Sequence, residues 1–185
     1  MEKEGSNHYQ ILDLFESFVE AVELLVTYDK QLFGWKRNRL PIAHRLALYL
    51  QETLLKGTSL ENEHYSIDMA IPILKEKKAL TADILIHDRD EQNPTNLLAV
   101  VCKDRYLTEA ELLSLHALKV KADCSLVLAV TIFEDKEYML IYRSGESFID
   151  YYHFTYADKK CTLLKRRVIE GKSYAKRQLK LPIKV

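Results

Sequence analysis

The spacing of hydrophobic positions predicts two helices at the start of the chain. In residues 8–33, apolar side chains recur every three or four positions and acidic residues occupy the other face, the pattern of an amphipathic helix. A short linker with Gly34 and Pro41 precedes a second predicted helix over 42–56, and Gly57 is placed to end it. We therefore expect a pair of helices before any strand.

The rest of the chain is rich in short apolar runs that are typical of strands. A third helix is predicted over 108–121, opened by Thr108 and Glu111 as a capping box. The run at 125–133 is almost entirely apolar, which indicates a central strand covered on both faces. The other predicted strands are 65–74, 81–88, 96–104, 137–143, 147–156 and 161–169. A strand–helix–strand unit among hairpin-connected strands predicts a mixed α/β fold.

Composition narrows the class of protein. With 185 residues, 48% hydrophobic and 29% charged, the chain fits one water-soluble domain and excludes collagen, coiled coil and disorder. No apolar run approaches the ~18 residues of a membrane span, and the first residues lack a secretory pattern, so we expect a cytoplasmic protein with no membrane contact. The five glycines cannot form a dinucleotide-binding or P-loop motif. Cys102, Cys124 and Cys161 are expected to be buried, reduced thiols.

Charge is distributed unevenly along the chain. Residues 159–185 hold ten of the 27 basic residues and one of the 27 acidic ones, so this segment carries +9 and residues 1–158 carry −9. Such asymmetry indicates contact with nucleic acid or an acidic partner, and its simpler explanation is a solvated tail that neutralises the body. The basic residues that we consider for nucleic-acid contact are Lys165, Arg166, Arg167, Lys176 and Arg177.

Residues 83–103 resemble a known catalytic motif. Asp83 lies near the start of one predicted strand and Lys103 ends the next, with Val101 on the same strand face as Lys103. This order of elements resembles the PD-(D/E)XK nuclease superfamily, in which a helix precedes a strand bearing Asp, a strand bearing Glu-x-Lys, a helix and a further strand. The segments HRLALYL, YSID, ADILIHDRD and NLLAVVCKD are also similar to a branch of small bacterial proteins with this core.

The resemblance covers residues 40–143 and implies a restriction-endonuclease-like core, a central mixed β-sheet flanked by helices. We predict a single domain over 1–185 in which the first helix at 1–35 and the extra strands and basic tail at 144–185 lie outside that core. In the superfamily, two carboxylates hold Mg²⁺ or Mn²⁺ and the lysine stabilises charge or orients the attacking water. The resemblance therefore implies a metal-binding and catalytic role for Asp83 and a catalytic role for Lys103.

The motif is broken in this chain, because Val101 stands where the superfamily has glutamate and Ala82 where it has proline. One aspartate alone would hold the metal weakly. A replacement carboxylate could come from Glu52, Asp68 or Glu63, and Asp68 is favoured because adjacent strands place side chains ~5 Å apart.

Three functions stay open at this stage. The first is a catalytically impaired nuclease-like domain that acts as a binding or interaction module. The second is an active Mg²⁺-dependent nuclease with a relocated carboxylate, and the third is a domain that associates with a protein partner or a second copy. For Asp83 and Lys103, the structural alternative is a residue at a strand start and a lysine that reaches solvent.

Overall fold

Three α-helices and seven strands make up the described part of the chain, which in this computed structural model is residues 6–36, 38–56, 60, 64–72, 81–90, 92 and 94–169. The helices are α1 over Ser6–Asp29, α2 over Arg39–Leu50 and α3 over Glu109–Lys121. A 3-10 helix at Lys30–Gly34 follows α1, and a π-helical turn at Gln51–Leu55 extends α2. The strands are β1 Ser66–Pro72, β2 Thr81–His87, β3 Asn96–Lys103, β4 Leu126–Ile132, β5 Tyr138–Ser144, β6 Phe148–Thr155 and β7 Lys160–Val168.

The strands form one mixed sheet in which spatial order follows chain order, from β1 at one edge to β7 at the other. Only β3 and β4 are parallel among these strands, and every other neighbouring pair is antiparallel. The parallel pair is joined through α3, because a parallel connection must cross over the sheet. The predicted mixed α/β class is confirmed.

Helices cover the sheet on both faces. Helices α1 and α2 pack on one face, where Phe18, Leu25 and Leu46 meet the inward side chains of the strands. Helix α3 packs on the other face through Leu112, Leu115 and Leu118. Strand β4 lies between these layers and is buried along its whole length, as its apolar run predicts.

The start of α2 differs from the prediction. The helix begins at Arg39, so Pro41 lies inside its first turn and not in the linker. Proline is tolerated there because the first N–H groups of a helix have no intrahelical acceptor. The predicted cap Gly57 lies outside the described residues. At α3 the capping box of Thr108 and Glu111 is confirmed.

Two further expectations concern the cysteines and the membrane. All three cysteines are unpaired, with Cys102 and Cys124 buried and Cys161 half-buried. Burial raises the pKa of the Cys124 thiol to about 12. Among the described residues, no helix combines the length and the apolar character that a membrane crossing needs.

His116 is a buried titratable group on the sheet-facing side of α3, only 6% exposed. Its Nδ1 lies 3.4 Å from the Ser144 Oγ. Burial lowers the pKa of His116 below its ordinary value, against an opposing effect of a hydrogen bond with the Gly145 backbone. The folded protein therefore favours the neutral imidazole.

We expect this histidine to make the free energy of unfolding fall as the pH decreases below about 6.5. In that range His116 takes up a proton more readily in the unfolded chain than in the folded one, so protonation favours unfolding. The loss of stability levels off below the pKa of His116 in the folded state. Urea unfolding at several pH values from 8 to 5 measures how the free energy of unfolding depends on pH. His116→Gln should flatten the dependence, while His44→Gln, at an exposed position, should not. If the free energy of unfolding depends on pH with the same slope in the wild type and in His116→Gln, this histidine is not the source of the dependence.

Candidate functional site at the ends of strands β2 and β3

Asp83 lies near the start of β2 and is only 3% exposed. Arg39 donates two hydrogen bonds to its Oδ1, from Nε at 3.0 Å and from Nη2 at 2.6 Å. The backbone N–H of Cys102 donates to Oδ2 at 2.7 Å. Both carboxylate oxygens thus accept hydrogen bonds, and the guanidinium lies against the charge. The hydrogen bond with Asp83 raises the pKa of Arg39.

The local separation of two strands explains why Asp83 can reach a backbone amide. Residue pairs between β2 and β3 run from His87 opposite Asn96 to Ile84 opposite Val100, and no pair continues to Asp83. The Asp83 carboxylate therefore accepts the Cys102 N–H where a main-chain carbonyl would accept it in a regular ladder. Arg39 reaches the same point because it begins α2, which packs over β1, β2 and β3.

Lys103 ends β3 and faces α3. Its Nζ lies 2.9 Å from Oε1 of Glu111. Arg105 forms two further bonds with Glu111, at 2.9 and 3.0 Å, and the Thr108 backbone N–H donates to Oε2. Together with Lys103 and Thr108, Arg105 holds the pKa of Glu111 well below its usual range. Lys103 is thus one of several cations and donors around the first turn of α3.

Val101 is the residue for which the resemblance to the nuclease motif implies a glutamate. It is half-buried and packs against the core layer beneath α3. This position therefore contributes apolar contact where the superfamily motif has an oxygen ligand.

The candidate replacement carboxylates are engaged elsewhere. Asp68 pairs with Arg89 at 2.5 Å and with His87 at 2.9 Å. The Arg89 hydrogen bond and that of His87 lower the pKa of Asp68 to about 2. Glu52 is exposed and pairs with Lys56 one turn later. Glu63 lies outside the described residues.

These residues do not form a metal site. Among the described residues, no group of three or more His, Cys, Asp or Glu side chains is arranged to hold a metal ion. The one motif carboxylate present, Asp83, already has both oxygens hydrogen-bonded and a guanidinium beside it. A divalent cation would have to displace Arg39 and would find no second carboxylate on β3. The donor set therefore does not fit Mg²⁺ or Mn²⁺, which need several oxygen ligands.

The basic residues of β7 divide between the two faces of the sheet. Lys165 lies opposite Tyr151 and Arg167 opposite Ile149, on the α3 side, whereas Arg166 lies opposite Asp150 on the other face. Arg166 is bound to Asp150 and Arg167 to Glu109, each by two hydrogen bonds. Lys176 and Arg177 lie outside the described residues.

Sequence reasoning missed the two partners that define this site, Arg39 and Glu111. Arg39 is 44 residues from Asp83, and no local pattern connects them. Glu111 is identifiable as a capping residue, but its pairing with Lys103 depends on how α3 sits over β3.

We compared the chain with protein-family models, with curated proteins and with solved structures, and none of them matches it.

Proposed function

We propose that this protein is a nuclease-like domain that binds a partner and does not hydrolyse phosphodiesters. The observation that carries the proposal is the state of Asp83, which is buried with both oxygens hydrogen-bonded and the Arg39 guanidinium paired with it. The apolar packing of Val101 supports it. The order of elements also supports the nuclease-like core, because α2, the strand with Asp83, the strand with Lys103, α3 and β4 follow one another in the order that the resemblance implies.

An active Mg²⁺-dependent phosphodiesterase is the second candidate, and one contact favours it. Glu111 brings a carboxylate to 2.9 Å from the Lys103 amine, so a relocated acid is present near the motif lysine. Its oxygens are already engaged by Arg105 and by the helix cap, which is why we rank this function second.

Incubation of the purified protein with single- and double-stranded DNA and RNA in Mg²⁺ or Mn²⁺ tests the proposal. We expect no cleavage by the wild type above that of Asp83→Asn, and no specific uptake of Mn²⁺ measured by electron paramagnetic resonance. Lys103→Gln is the second variant, and we expect it to fold because Arg105 and the Thr108 N–H still bind Glu111 when the lysine is gone. Cleavage that disappears in both variants would instead establish an active nuclease.

A further inference from the structure

On the α3 side of the sheet, no helix of the described residues covers most of β6 and β7. Helix α3 packs against β4 and β5 and reaches the last two strands near Ile149 and Arg167. Tyr151 and His153 of β6 are half-buried there, while Lys160 and Lys165 of β7 are exposed. We call this surface the aromatic–basic face, and its members are Tyr138, Tyr151, His153, Lys160, Lys165 and Arg167.

Strand register places these residues side by side. Tyr138 lies opposite Thr155, which lies opposite Lys160, and Tyr151 lies opposite Lys165. Both sets of paired residues therefore cross the strands from an aromatic side chain to a lysine on β7, the edge strand. Side chains opposite each other on one face of a sheet are about 5 Å apart, so the rings and the amines form one continuous surface.

The charged strand residues of this face are basic, while two acids reach it from outside the strands: Glu109 of α3, and Asp158 of the β6–β7 turn, which accepts a hydrogen bond from Thr155. Along β6 and β7, every charged side chain on the α3 side is basic, because the acid of β6, Asp150, lies on the opposite face. Glu109 of α3 reaches the face and pairs with Arg167. Lys160 and Lys165 are exposed at the edge, and Lys136 adds a third amine 5.7 Å from the Tyr138 ring.

The aromatic rings form a row across the strands. The rings of His153 and Tyr138 are tilted by 41° with their centres 4.4 Å apart, and the hydroxyls of Tyr106 and Tyr138 lie 3.1 Å from each other. Tyr151 packs on the core layer below and carries the Lys165 amine 4.5 Å above its ring centre. Flat rings next to amines are the combination on which unpaired bases stack while phosphates meet the cations. A base would stack on Tyr151 as the exposed Lys165 side chain turns from the ring to a phosphate.

We propose that the aromatic–basic face binds single-stranded nucleic acid. An acidic peptide would contact only the lysines, which leaves the aromatic rings without a role. The bases of a duplex are stacked on one another and cannot stack on these rings. The proposal rests on the proposed function, since it names the partner of the binding domain, but it uses a surface formed by different residues from those around Asp83.

Fluorescence polarisation with a labelled ten-nucleotide single strand, in EDTA and with the full chain, tests the face without any cleavage. Tyr151→Leu keeps the apolar packing but removes the flat ring, so we expect a loss of affinity of about 5- to 150-fold, the effect of one lost stacking contact. Tyr151→Phe should restore wild-type binding. Lys160→Gln with Lys165→Gln should reduce the slope of log affinity against log salt by about 1.4, since each single-strand phosphate contact contributes about 0.7.

The matched control is Lys36→Gln with Lys121→Gln, which removes the same charge at two exposed positions away from the face. Its salt slope should equal that of the wild type. Three results would each overturn the proposal: the same reduction in salt slope in the two double variants, unchanged affinity of Tyr151→Leu for the single strand, or no binding of the single strand by the wild type. Tighter binding of a glutamate-rich peptide would assign the face to an acidic protein and overturn it as well. Because EDTA is present, none of these results depends on the outcome of the cleavage test.

Discussion

Replacing Asp150 with alanine is expected to lower the free energy of unfolding by about 3 to 5 kcal/mol, the usual effect of removing one partner of a buried ion pair. Asp150 is fully buried on β6, at 0% exposure. It accepts hydrogen bonds from Arg143 at 3.0 Å and from Arg166 at 2.6 and 2.9 Å. Burial raises the pKa of Asp150, but the two arginines outweigh this effect and keep it below its ordinary value.

Most of the loss should come from Arg143. Its side chain is only 17% exposed and its guanidinium lies within 6 Å of the rings of Phe15 and Tyr152, so without Asp150 a cation is left largely buried. Arg166 is half-exposed and can turn to water. Denaturant unfolding at pH 7 measures the change, and Asp135→Ala, in an exposed turn, is the matched control. If the free energy of unfolding of Asp150→Ala is within about 1 kcal/mol of the wild-type value, the ion pairs of Asp150 with Arg143 and Arg166 contribute little to stability.

The second large effect is expected at Asp83, where alanine should cost about 2 to 4 kcal/mol. The substitution leaves the buried Cys102 N–H without its acceptor and removes the partner of Arg39. Asparagine can still accept from the Cys102 N–H, so Asp83→Asn should lose less than Asp83→Ala. Unfolding in EDTA measures both variants without any contribution from a metal ion.

Asp104 provides the control for this experiment, because it is an exposed acid one residue beyond Lys103. Asp104→Ala should leave the free energy of unfolding within about 0.5 kcal/mol of the wild type. If Asp83→Ala is equally harmless, the carboxylate does not stabilise the fold, and a functional role for it gains support. The experiment thus separates an ion pair that holds β2, β3 and α2 together from a residue kept for chemistry.

Much of the secondary structure could be predicted from local pattern. The helix at Glu109–Lys121 was expected over 108–121 from its capping box, and the buried strand Leu126–Ile132 from a run of apolar residues. The parallel pairing of β3 with β4 was implied by the helix between them. Boundaries moved by a few residues, as at Arg39, because the first turn of a helix accepts proline.

The candidate site was less predictable. The sequence places Asp83, Val101 and Lys103 on neighbouring strands, and the structure has them there. It does not bring Asp83 and Lys103 together, because Asp83 pairs with Arg39 of α2 and Lys103 with Glu111 of α3, on opposite faces of the sheet. The sequence does not reveal that Arg39 neutralises Asp83, nor that Asp68 pairs with Arg89. Residue type alone cannot distinguish a carboxylate that is open to a metal ion from one already paired with an arginine.

Whether a feature was determined by the sequence or only by the tertiary structure depends on how far apart in the chain the interacting residues are. Helix and strand periodicity, the cap at Thr108 and the net charge of each segment depend on residues close together in the chain, so the sequence by itself determined them. The pairing of Arg39 with Asp83, of Glu109 with Arg167 and of Asp150 with Arg143 and Arg166 depends on strand order and on where the helices lie. Only the tertiary structure decided them, because a charge selects its partner by distance in space, and the folded sheet sets that distance.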